Sequence, residues 1–283
     1  MTDVAPLTRR EANELLKARG LRPRQSLGQN FVVDPNTVRR IVRLADLTEG
    51  DRVVEIGAGL GSLTRALVAA GARVTAIEID EHLVEILRDT LPDVDVVAGD
   101  ARRLDWDALL EGEPAVLVAN LPYNVATPIV ADLLDEVPLV QRMLVMVQAE
   151  VADRLSAIPG TKAYGAVTVK VSYWATAAVV GRVPATVFLP PPKVESSLVA
   201  IRRRPRPAGP PTVPPAELFT LVRAGFGQRR KTLRRSLAGL ARPADFAAAE
   251  IDPGARAEQL DVDQWVALAG AVVERAGSIR TPS

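Results

Sequence analysis

Apolar runs and amphipathic stretches alternate along the middle of the chain. Short apolar runs bounded by Gly, Pro or acidic residues predict strands, and longer stretches with apolar residues three or four positions apart predict helices. The predicted strands are 52–57, 73–79, 93–99, 114–120 and 140–148, and the helices that follow them are 61–70, 81–90, 105–110, 126–135 and 149–157. This alternation predicts an α/β fold, with a doubly wound, Rossmann-like parallel sheet between helices.

The segments on either side have different patterns. We predict helices over 9–19 and 34–45, and strands over 175–183 and 196–203. Asp34 followed by Pro35 is typical of a helix start. Residues 164–174 fit either a helix or a strand, because they are β-branched and directly precede another strand pattern. The last two strands flank a proline-rich segment, so we expect them at the edge of the sheet, where antiparallel pairing can occur.

A proline-rich stretch marks the predicted domain boundary. Residues 202–215 contain six prolines and no apolar periodicity, which is typical of a linker. Beyond it, short amphipathic helices are predicted over 216–226, 230–240, 243–250 and 262–275. We therefore predict a first domain over 1–205, with a basic N-terminal extension over about 1–33, and a small helical domain over 216–283.

Composition argues against several classes of protein. The chain has no cysteine and one histidine, so disulfides, thiolate zinc sites and Ser-His-Asp triads are not expected. That histidine, His82, is expected on a helix surface without a catalytic role. The N-terminus lacks the apolar core of a signal peptide, and no run of about 18 apolar residues occurs. We expect a cytoplasmic, monomeric protein that holds no metal and does not contact a membrane.

Charge is distributed unevenly, although the net charge is only +1. Residues 44–158 carry 21 acidic and 8 basic side chains, whereas 202–235 carry 10 basic side chains and one acidic one. Residues 5–24 carry 6 basic and 2 acidic side chains. A single arginine run could be a solvated face, but several together indicate a polyanionic partner such as nucleic acid.

Glycine or acidic residues follow the first three predicted strands. After the first strand, Gly57, Gly59 and Gly61 allow a tight turn and close ligand approach at a helix N-terminus. Such loops bind NAD, FAD or S-adenosylmethionine, and some bind nothing. Glu78 ends the second strand, 21 residues after Gly57, where an acid can bind both hydroxyls of a ribose. Asp100 ends the third strand and could either accept a hydrogen bond from an adenine amine or cap the next helix.

The fourth predicted strand ends in an amide, a proline and an aromatic ring. The sequence "NLPY" places Asn120, Leu121, Pro122 and Tyr123 directly after an apolar run. Pro122 has no N–H to donate and ends the strand. Tyr123 could stack on a base or pack in the core. Because neighbouring parallel strands end at one crevice, the four strand ends together predict an active-site cleft with an adenosine-containing cofactor.

Several motifs resemble those of one family. "NLPY" is similar to the signature of methyltransferases that act on adenine, cytosine or glutamine nitrogens, and "EIGAGLG" resembles their S-adenosylmethionine loop. "GQNFVVD", "AYGAVTV", "FLPPPKVESSLV" and "FGQRRKTLRRSL" narrow the match. From about Gln25 to Leu237 the chain resembles the KsgA/RsmA family, the 16S rRNA adenine N6,N6-dimethyltransferases of the small subunit. Val32 and Arg235 depart from the Leu and Asn common in that family.

The resemblance implies a role for each motif. S-adenosylmethionine would be the cofactor, bound by Asn30, Val32, Gly57, Gly59, Glu78, Asp100 and Asn120. The Asn120 side-chain carbonyl and the Leu121 backbone carbonyl would accept the N–H bonds of the target amine, and Pro122 would hold the loop. Tyr123 would stack on the flipped adenine and Phe188 would close its other face, unless Phe188 is simply a packing residue. RNA phosphates would contact Arg22, Arg24, Arg229, Arg230, Lys231, Arg234 and Arg235.

The expected reaction is dimethylation of two adjacent adenines in a loop near the 3′ end of 16S rRNA, within an assembling small ribosomal subunit. Erm-type methyltransferases of 23S rRNA share the first motifs, but "RRKTLRRSL" and "PPPKVES" favour the KsgA side. A non-catalytic ribosome assembly factor is a second alternative. An NAD-dependent dehydrogenase would explain the glycine loop and Glu78, but it leaves "NLPY" and the basic C-terminal region without a purpose.

Overall fold

The structure is a computed structural model that describes residues 5–277. These residues form two compact units, one from 5–152 with 178–203 and the other from 153–177 with 204–277. The predicted domains 1–205 and 216–283 stay a prediction, and the structure groups 153–177 with the C-terminal residues. No helix within 5–277 combines the length and the apolar character needed to cross a membrane.

The first unit contains a large mixed sheet and a small one. In chain order the strands are β1 (Phe31–Val32), β2 (Arg52–Ile56), β3 (Arg73–Glu78), β4 (Asp95–Ala98), β5 (Ala115–Asn120), β6 (Val140–Gln148), β7 (Ala175–Val183), β8 (Phe188–Leu189) and β9 (Ser196–Arg203). The seven-stranded sheet has the order β4-β3-β2-β5-β6-β9-β7. The first five strands in this order, β4, β3, β2, β5 and β6, run parallel to one another, and β9 is antiparallel to β6. The small sheet pairs β1 with β8.

Helices flank the large sheet and make up most of the second unit. Those before the second unit are α1 (Arg9–Ala18), α2 (Pro35–Ala45), α3 (Ser62–Ala69), α4 (Glu81–Thr90), α5 (Trp106–Leu110), α6 (Ala126–Glu136) and α7 (Ala149–Leu155), which leads into it. Those of the second unit are α8 (Ala166–Trp174), α9 (Pro215–Gly227), α10 (Leu233–Ser236), α11 (Pro243–Ala248) and α12 (Val262–Ala276). Helix α2 starts as predicted, with the Asp34 carboxylate accepting from Thr37 N at 2.8 Å.

The core of the first unit lies between the sheet and its helices. Side chains of α2, α3 and the central strands form one apolar cluster. Its members include Ile41, Leu67, Val53, Val118 and Leu144. Helix α4 packs on β3 and β4 in a second cluster. Parallel strands covered by helices are buried on both faces, which explains why β5 is an uninterrupted apolar run up to Asn120.

Most of the predicted elements are confirmed. The five strands and the helices after them occur with ends shifted by no more than two residues, and the open segment 164–174 forms α8. The strands predicted for the sheet edge lie there as β9 and β7, and β9 pairs with β6 in the antiparallel direction. The single helix predicted over 230–240 is wrong in extent, since only Leu233–Ser236 is α-helical. Backbone hydrogen bonds from Leu233 and Arg234 to the 253–255 turn hold its start, and Gly239 has a φ of +85° near its end.

The second unit has its own apolar core. Trp265 of α12 is fully buried there, in one apolar cluster with side chains that include Tyr164, Val169, Leu221 and Phe246. The Tyr164 hydroxyl donates to the Leu260 carbonyl at 2.8 Å. Burying a Tyr or Trp side chain contributes strongly to the stability of a small domain.

Candidate active site

The carboxyl ends of four neighbouring parallel strands, β4, β3, β2 and β5, line one cavity. The cavity lining includes all seven residues that were predicted for the cofactor site: Asn30, Val32, Gly57, Gly59, Glu78, Asp100 and Asn120. Asp100 Oδ1 also accepts from Arg102 N at 3.0 Å, so it caps the turn that follows β4. The structure thus brings these residues together, and their contacts with a cofactor stay a prediction.

The glycine loop requires glycine at its tightest point. Gly59 has a φ of +60°, and a Cβ atom there would lie 2.9 Å from Cδ1 of Phe31. A left-handed backbone and a ring at that distance exclude a larger side chain. Gly57 N donates to the Ile77 carbonyl at 2.8 Å and holds the loop against β3. The loop therefore presents backbone to the cavity directly before the N-terminus of α3.

Glu78 is buried, and its carboxylate joins the ends of β2 and β3. Oε2 accepts from Gly59 N at 2.9 Å, and Oε1 accepts from Ile79 N and Asp80 N at 2.9 and 3.0 Å. Burial raises the pKa of Glu78, and the backbone N–H groups of these three residues oppose that rise. Each carboxylate oxygen can accept more than one hydrogen bond, so Glu78 retains acceptor capacity toward the cavity.

Glu55 is a second buried carboxyl group in the cavity wall, and it had no role in the sequence-based prediction. It is 2% exposed and accepts a hydrogen bond from the Thr64 hydroxyl at 2.6 Å. Burial raises the pKa of Glu55 to about 8, and the Glu78 carboxylate adds to that rise. Glu55 is therefore mostly protonated at neutral pH. Its signal in the sequence is an acid inside the otherwise apolar run "VVEIG".

The side-chain amide of Asn120 is oriented by the N-terminal loop. Its Nδ2 donates to the Asn30 carbonyl at 2.9 Å, and Asn30 Nδ2 donates to the Gly28 carbonyl at 3.2 Å. Because the amide nitrogen is used in this way, Oδ1 is left as an acceptor without a protein donor among residues 5–277. The sequence placed Asn120 at the strand end but gave no sign of the loop that orients it.

The rest of the "NLPY" turn lies next to the cavity. Leu121 N donates to the Met146 carbonyl at 3.1 Å, and the Leu121 side chain is buried. Pro122 lines the cavity. Tyr123 is half-buried, and its hydroxyl lies 2.7 Å from Ser196 Oγ. Leu121 and Tyr123 lie outside the cavity lining, and their predicted contacts with a target base stay predictions.

Phe188 is fully buried in the first unit. It pairs with Val32 in the small sheet and packs in the same apolar cluster. This environment fits the packing interpretation that the sequence left open, and its predicted contact with a base stays a prediction. Arg9 Nη2 donates to the Thr186 and Phe188 carbonyls at 2.7 and 2.8 Å. Helix α1 therefore holds the chain on both sides of Val187.

The loop between α1 and β1 is tied to the end of β3. Gln29 Nε2 donates to Asp80 Oδ2 at 2.8 Å, and Gln29 Oε1 accepts from Arg24 N at 2.7 Å. Arg22 and Arg24 are both exposed, and the Arg24 guanidinium lies 3.6 Å from Asp80 Oδ1. Arg24 thus already has a partner within the protein. The RNA contacts predicted for Arg22 and Arg24 stay predictions.

The basic residues predicted to bind RNA in the second unit have two kinds of environment. Arg229 donates to the Glu258 carboxylate through Nε, and through Nη2 to the Thr161 and Lys162 carbonyls at 3.3 and 2.9 Å. Arg229 therefore joins three segments of the second unit. The other four predicted residues are exposed and form no ion pair in the described part of the chain: Arg230, Lys231, Arg234 and Arg235. Their RNA contacts stay predictions.

Two further residues line the cavity without having been predicted. Ile79 is 52% exposed although it is apolar, and its signal is the apolar position between two acids in "EID". Ser62 Oγ accepts from Leu7 N at 3.0 Å, a contact between residues 55 positions apart that leaves no local signal. Within residues 5–277, no group of three or more acidic or histidine side chains could hold a metal ion.

The architecture is that of Rossmann-like methyltransferases. The structure is similar to the 23S rRNA methyltransferase ErmE, with a TM-score of 0.68 and 28% identity, over 86% of this chain and 99% of that chain. A dimethyladenosine transferase from Plasmodium falciparum shares the fold, with a TM-score of 0.70 and 24% identity over 87% and 98% of the two chains. The Rossmann-like fold predicted from the alternating elements, and the methyltransferase class implied by the resemblance, are thereby confirmed.

Sequence comparison identifies the family within that class. The family model described as "Ribosomal RNA adenine dimethylase" matches residues 20–272. Ribosomal RNA small subunit methyltransferase A of Thermobifida fusca is 46% identical, over 94% of this chain and 96% of its own. Its counterpart from Kineococcus radiotolerans is 49% identical, over 93% and 90%. The chain belongs to the ribosomal RNA adenine dimethylase family, which confirms the resemblance, and it is an rRNA adenine dimethyltransferase.

Proposed function

We propose that the chain uses S-adenosylmethionine to dimethylate the N6 amines of two adjacent adenines in a loop near the 3′ end of 16S rRNA. Its partner would be the assembling small ribosomal subunit in the cytoplasm, and it would act as a monomer. The small subunit is favoured because relatives named for it are 46 and 49% identical to this chain, whereas ErmE, named for 23S rRNA, is 28% identical.

The residues around the cavity fit S-adenosylmethionine. Gly57 and Gly59 expose backbone at the N-terminus of α3, and Glu78 retains acceptor capacity for ribose hydroxyls. Ile79 offers an apolar surface for an adenine ring, and Asp100 offers an acceptor for its amine. When bound, S-adenosylmethionine supplies an electrophilic methyl group on a sulfonium.

The orientation of Asn120 is the observation that carries the proposal. An exocyclic adenine amine is a weak nucleophile, because its lone pair is delocalised into the ring. Asn120 Oδ1 and the Leu121 backbone carbonyl would accept its two N–H bonds and so localise the lone pair. The bond from Asn120 to Asn30 holds Oδ1 in place beforehand, and Pro122 restrains the loop, so the acceptors are preorganised. The cationic amine that results can lose its proton to water without a general base.

The target base and its RNA require further contacts. The adenine must leave its stack to reach the site, and Tyr123 would stack on it, which contributes about 1–3 kcal/mol. Phe188 would close the other face only after leaving the buried position described above. Phosphates would be held by Arg22, Arg24, Arg229, Arg230, Lys231, Arg234 and Arg235. Five members are exposed and have no ion pair in the described part of the chain, so they can reach phosphates freely: Arg22, Arg230, Lys231, Arg234 and Arg235. Arg24 and Arg229 would first have to leave Asp80 and Glu258.

Asn120→Ala tests the acceptor role. Incorporation of radiolabelled methyl groups into unmethylated small subunits should fall by about 100-fold or more, while binding to the particle is retained. Asn36→Ala is the matched control, because Asn36 is an exposed asparagine at the start of α2. Normal turnover by Asn120→Ala would show that the acceptor assignment is wrong.

The position of the methyl groups tests the substrate. Mapping of methylated adenines after reaction with the wild-type protein should place them near the 3′ end of 16S rRNA, with no incorporation into isolated 23S rRNA. Methylation of 23S rRNA would instead support the Erm-type alternative. Binding to small subunits without any methyl incorporation would support a non-catalytic assembly factor.

A further inference from the structure

A hydrogen bond joins the aromatic ring of the "NLPY" turn to the start of β9. The Tyr123 hydroxyl and Ser196 Oγ are 2.7 Å apart, although the two residues are 73 positions apart in the chain. Tyr123 is half-buried, and Ser196 is fully buried. Burial raises the pKa of the Tyr123 phenol, so the hydroxyl keeps its proton at physiological pH and can donate it to Ser196.

The two partners differ in how firmly the backbone holds them. Ser196 is the first residue of β9 and pairs with Gln148 of β6, and Ala149 N donates to the neighbouring Glu195 carbonyl at 3.0 Å. Tyr123 lies in the turn between β5 and α6. The hydrogen bond therefore fixes a side chain of a turn to the start of a strand that lies inside the sheet, between β6 and β7.

A stacking role alone does not require a hydroxyl group. Phenylalanine has the same ring face as tyrosine, and base stacking depends on that face. The hydroxyl of Tyr123 is 2.7 Å from a fully buried serine, and this contact holds the far end of the ring in place. Holding a ring in one orientation before the base arrives lowers the entropy lost on binding and alignment.

We propose that Ser196 is a positioning residue that fixes the place of the Tyr123 ring on which the target adenine stacks, by holding the far end of the side chain. This inference rests on the proposed function, since it assumes that Tyr123 contacts the base. Ser196 itself touches neither the base nor the reacting atoms. Its effect should therefore appear in the rate of methyl transfer and not in affinity for the particle.

Four variants of the full-length protein test this role: Ser196→Ala, Tyr123→Phe, the double variant, and Ser197→Ala as the matched control. Ser197 is equally buried on the next position of β9, and its hydroxyl accepts from Arg182 Nη1 at 3.1 Å instead. Each single change that breaks the Tyr123–Ser196 bond should lower kcat about fivefold to tenfold, the effect of one hydrogen bond. KM for the particle should stay within about twofold in each of them.

The double variant decides between a shared role and two separate ones. If Ser196 acts through Tyr123, the double variant should have the kcat of either single variant, because the same bond is lost in all three. Multiplicative losses in kcat, or equal kcat values for Ser196→Ala and Ser197→Ala, would overturn the proposal. If Ser196→Ala does not fold, an unchanged kcat in Tyr123→Phe would overturn it alone.

Tyr123→Ala separates this inference from the proposed function. If Tyr123→Ala turns over normally, the stacking role fails, and the positioning role fails with it. If Tyr123→Ala loses activity while Tyr123→Phe and Ser196→Ala retain full kcat, the stacking role stands and only the role of Ser196 is wrong.

Discussion

Replacing Glu55 with glutamine should flatten the dependence of stability on pH. Glu55 is 2% exposed, and burial raises its pKa from 4.5 to about 8, with a further contribution from the Glu78 carboxylate. Glutamine has nearly the same shape and can still accept the hydrogen bond from Thr64. Because glutamine does not titrate, the variant removes the ionisation and keeps the packing of β2.

The size of the effect follows from the difference between the folded and unfolded proteins. In the folded protein Glu55 binds its proton more tightly, so its stabilising contribution is complete below pH 4.5 and is lost as pH rises through about 8. Each unit of pKa difference corresponds to about 1.4 kcal/mol. The free energy of unfolding of the wild-type protein should therefore fall by roughly 5 kcal/mol relative to the variant across that range.

Urea denaturation of the two proteins at a series of pH values measures this difference directly. The free energies of unfolding should agree near pH 5 and separate as pH rises toward 8, with the variant more stable. Glu85→Gln is the control, because Glu85 is exposed on α4, and its curve should follow the wild type. Parallel curves for Glu55→Gln and the wild type would refute the argument that burial keeps Glu55 protonated.

Three other changes have expected outcomes. Gly59→Ala should cost about 1–2 kcal/mol in thermal denaturation because of its φ of +60°, whereas Gly227→Ala, with open space at its Cβ, should cost nothing. Arg203→Met should lower the free energy of unfolding in urea by about 2–4 kcal/mol, because the guanidinium donates to four main-chain carbonyls in and after α6. Arg229→Ala should lower the melting temperature of the second unit, whereas Arg230→Ala should leave it unchanged and reduce the salt dependence of RNA binding, measured by filter binding, by about one unit of slope.

The sheet and its helices could be predicted because their signals are local. Each strand is an apolar run ended by Gly, Pro or an acid, and the residues that end it lie next to it in the sequence. The segment 164–174 could not be assigned, since α8 has β-branched residues and is buried on several sides. Its start is fixed by the Thr168 hydroxyl, which donates to the Arg154 carbonyl and accepts from Gly165 N. The Arg154 contact joins residues 14 positions apart and leaves no periodic pattern.

In the candidate site too, features local in the sequence could be predicted, and contacts between distant segments could not. Gly57, Glu78 and Asn120 could be predicted to share a cleft, because parallel strands place their carboxyl ends side by side. The contacts that orient them could not be predicted. Asn120 is oriented by a residue 90 positions away in an N-terminal loop, and that distance along the chain carries no spacing rule. The raised pKa of Glu55 depends on its burial in the folded protein, and its residue type and neighbours do not show it.

The two stretches that make up the second unit have a consequence for protein synthesis. Residues 153–177 leave the ribosome before 204–277, so Tyr164, Val169 and Tyr173 are translated well ahead of the core in which they are buried. Strand β9, which covers β6, is also translated after them. A fragment that stops at 205 would keep these three apolar side chains and lose their partners. Any continuous fragment that contains one whole unit therefore also contains part of the other, and the apolar side chains of 153–177 stay without their partners until 204–277 has been translated.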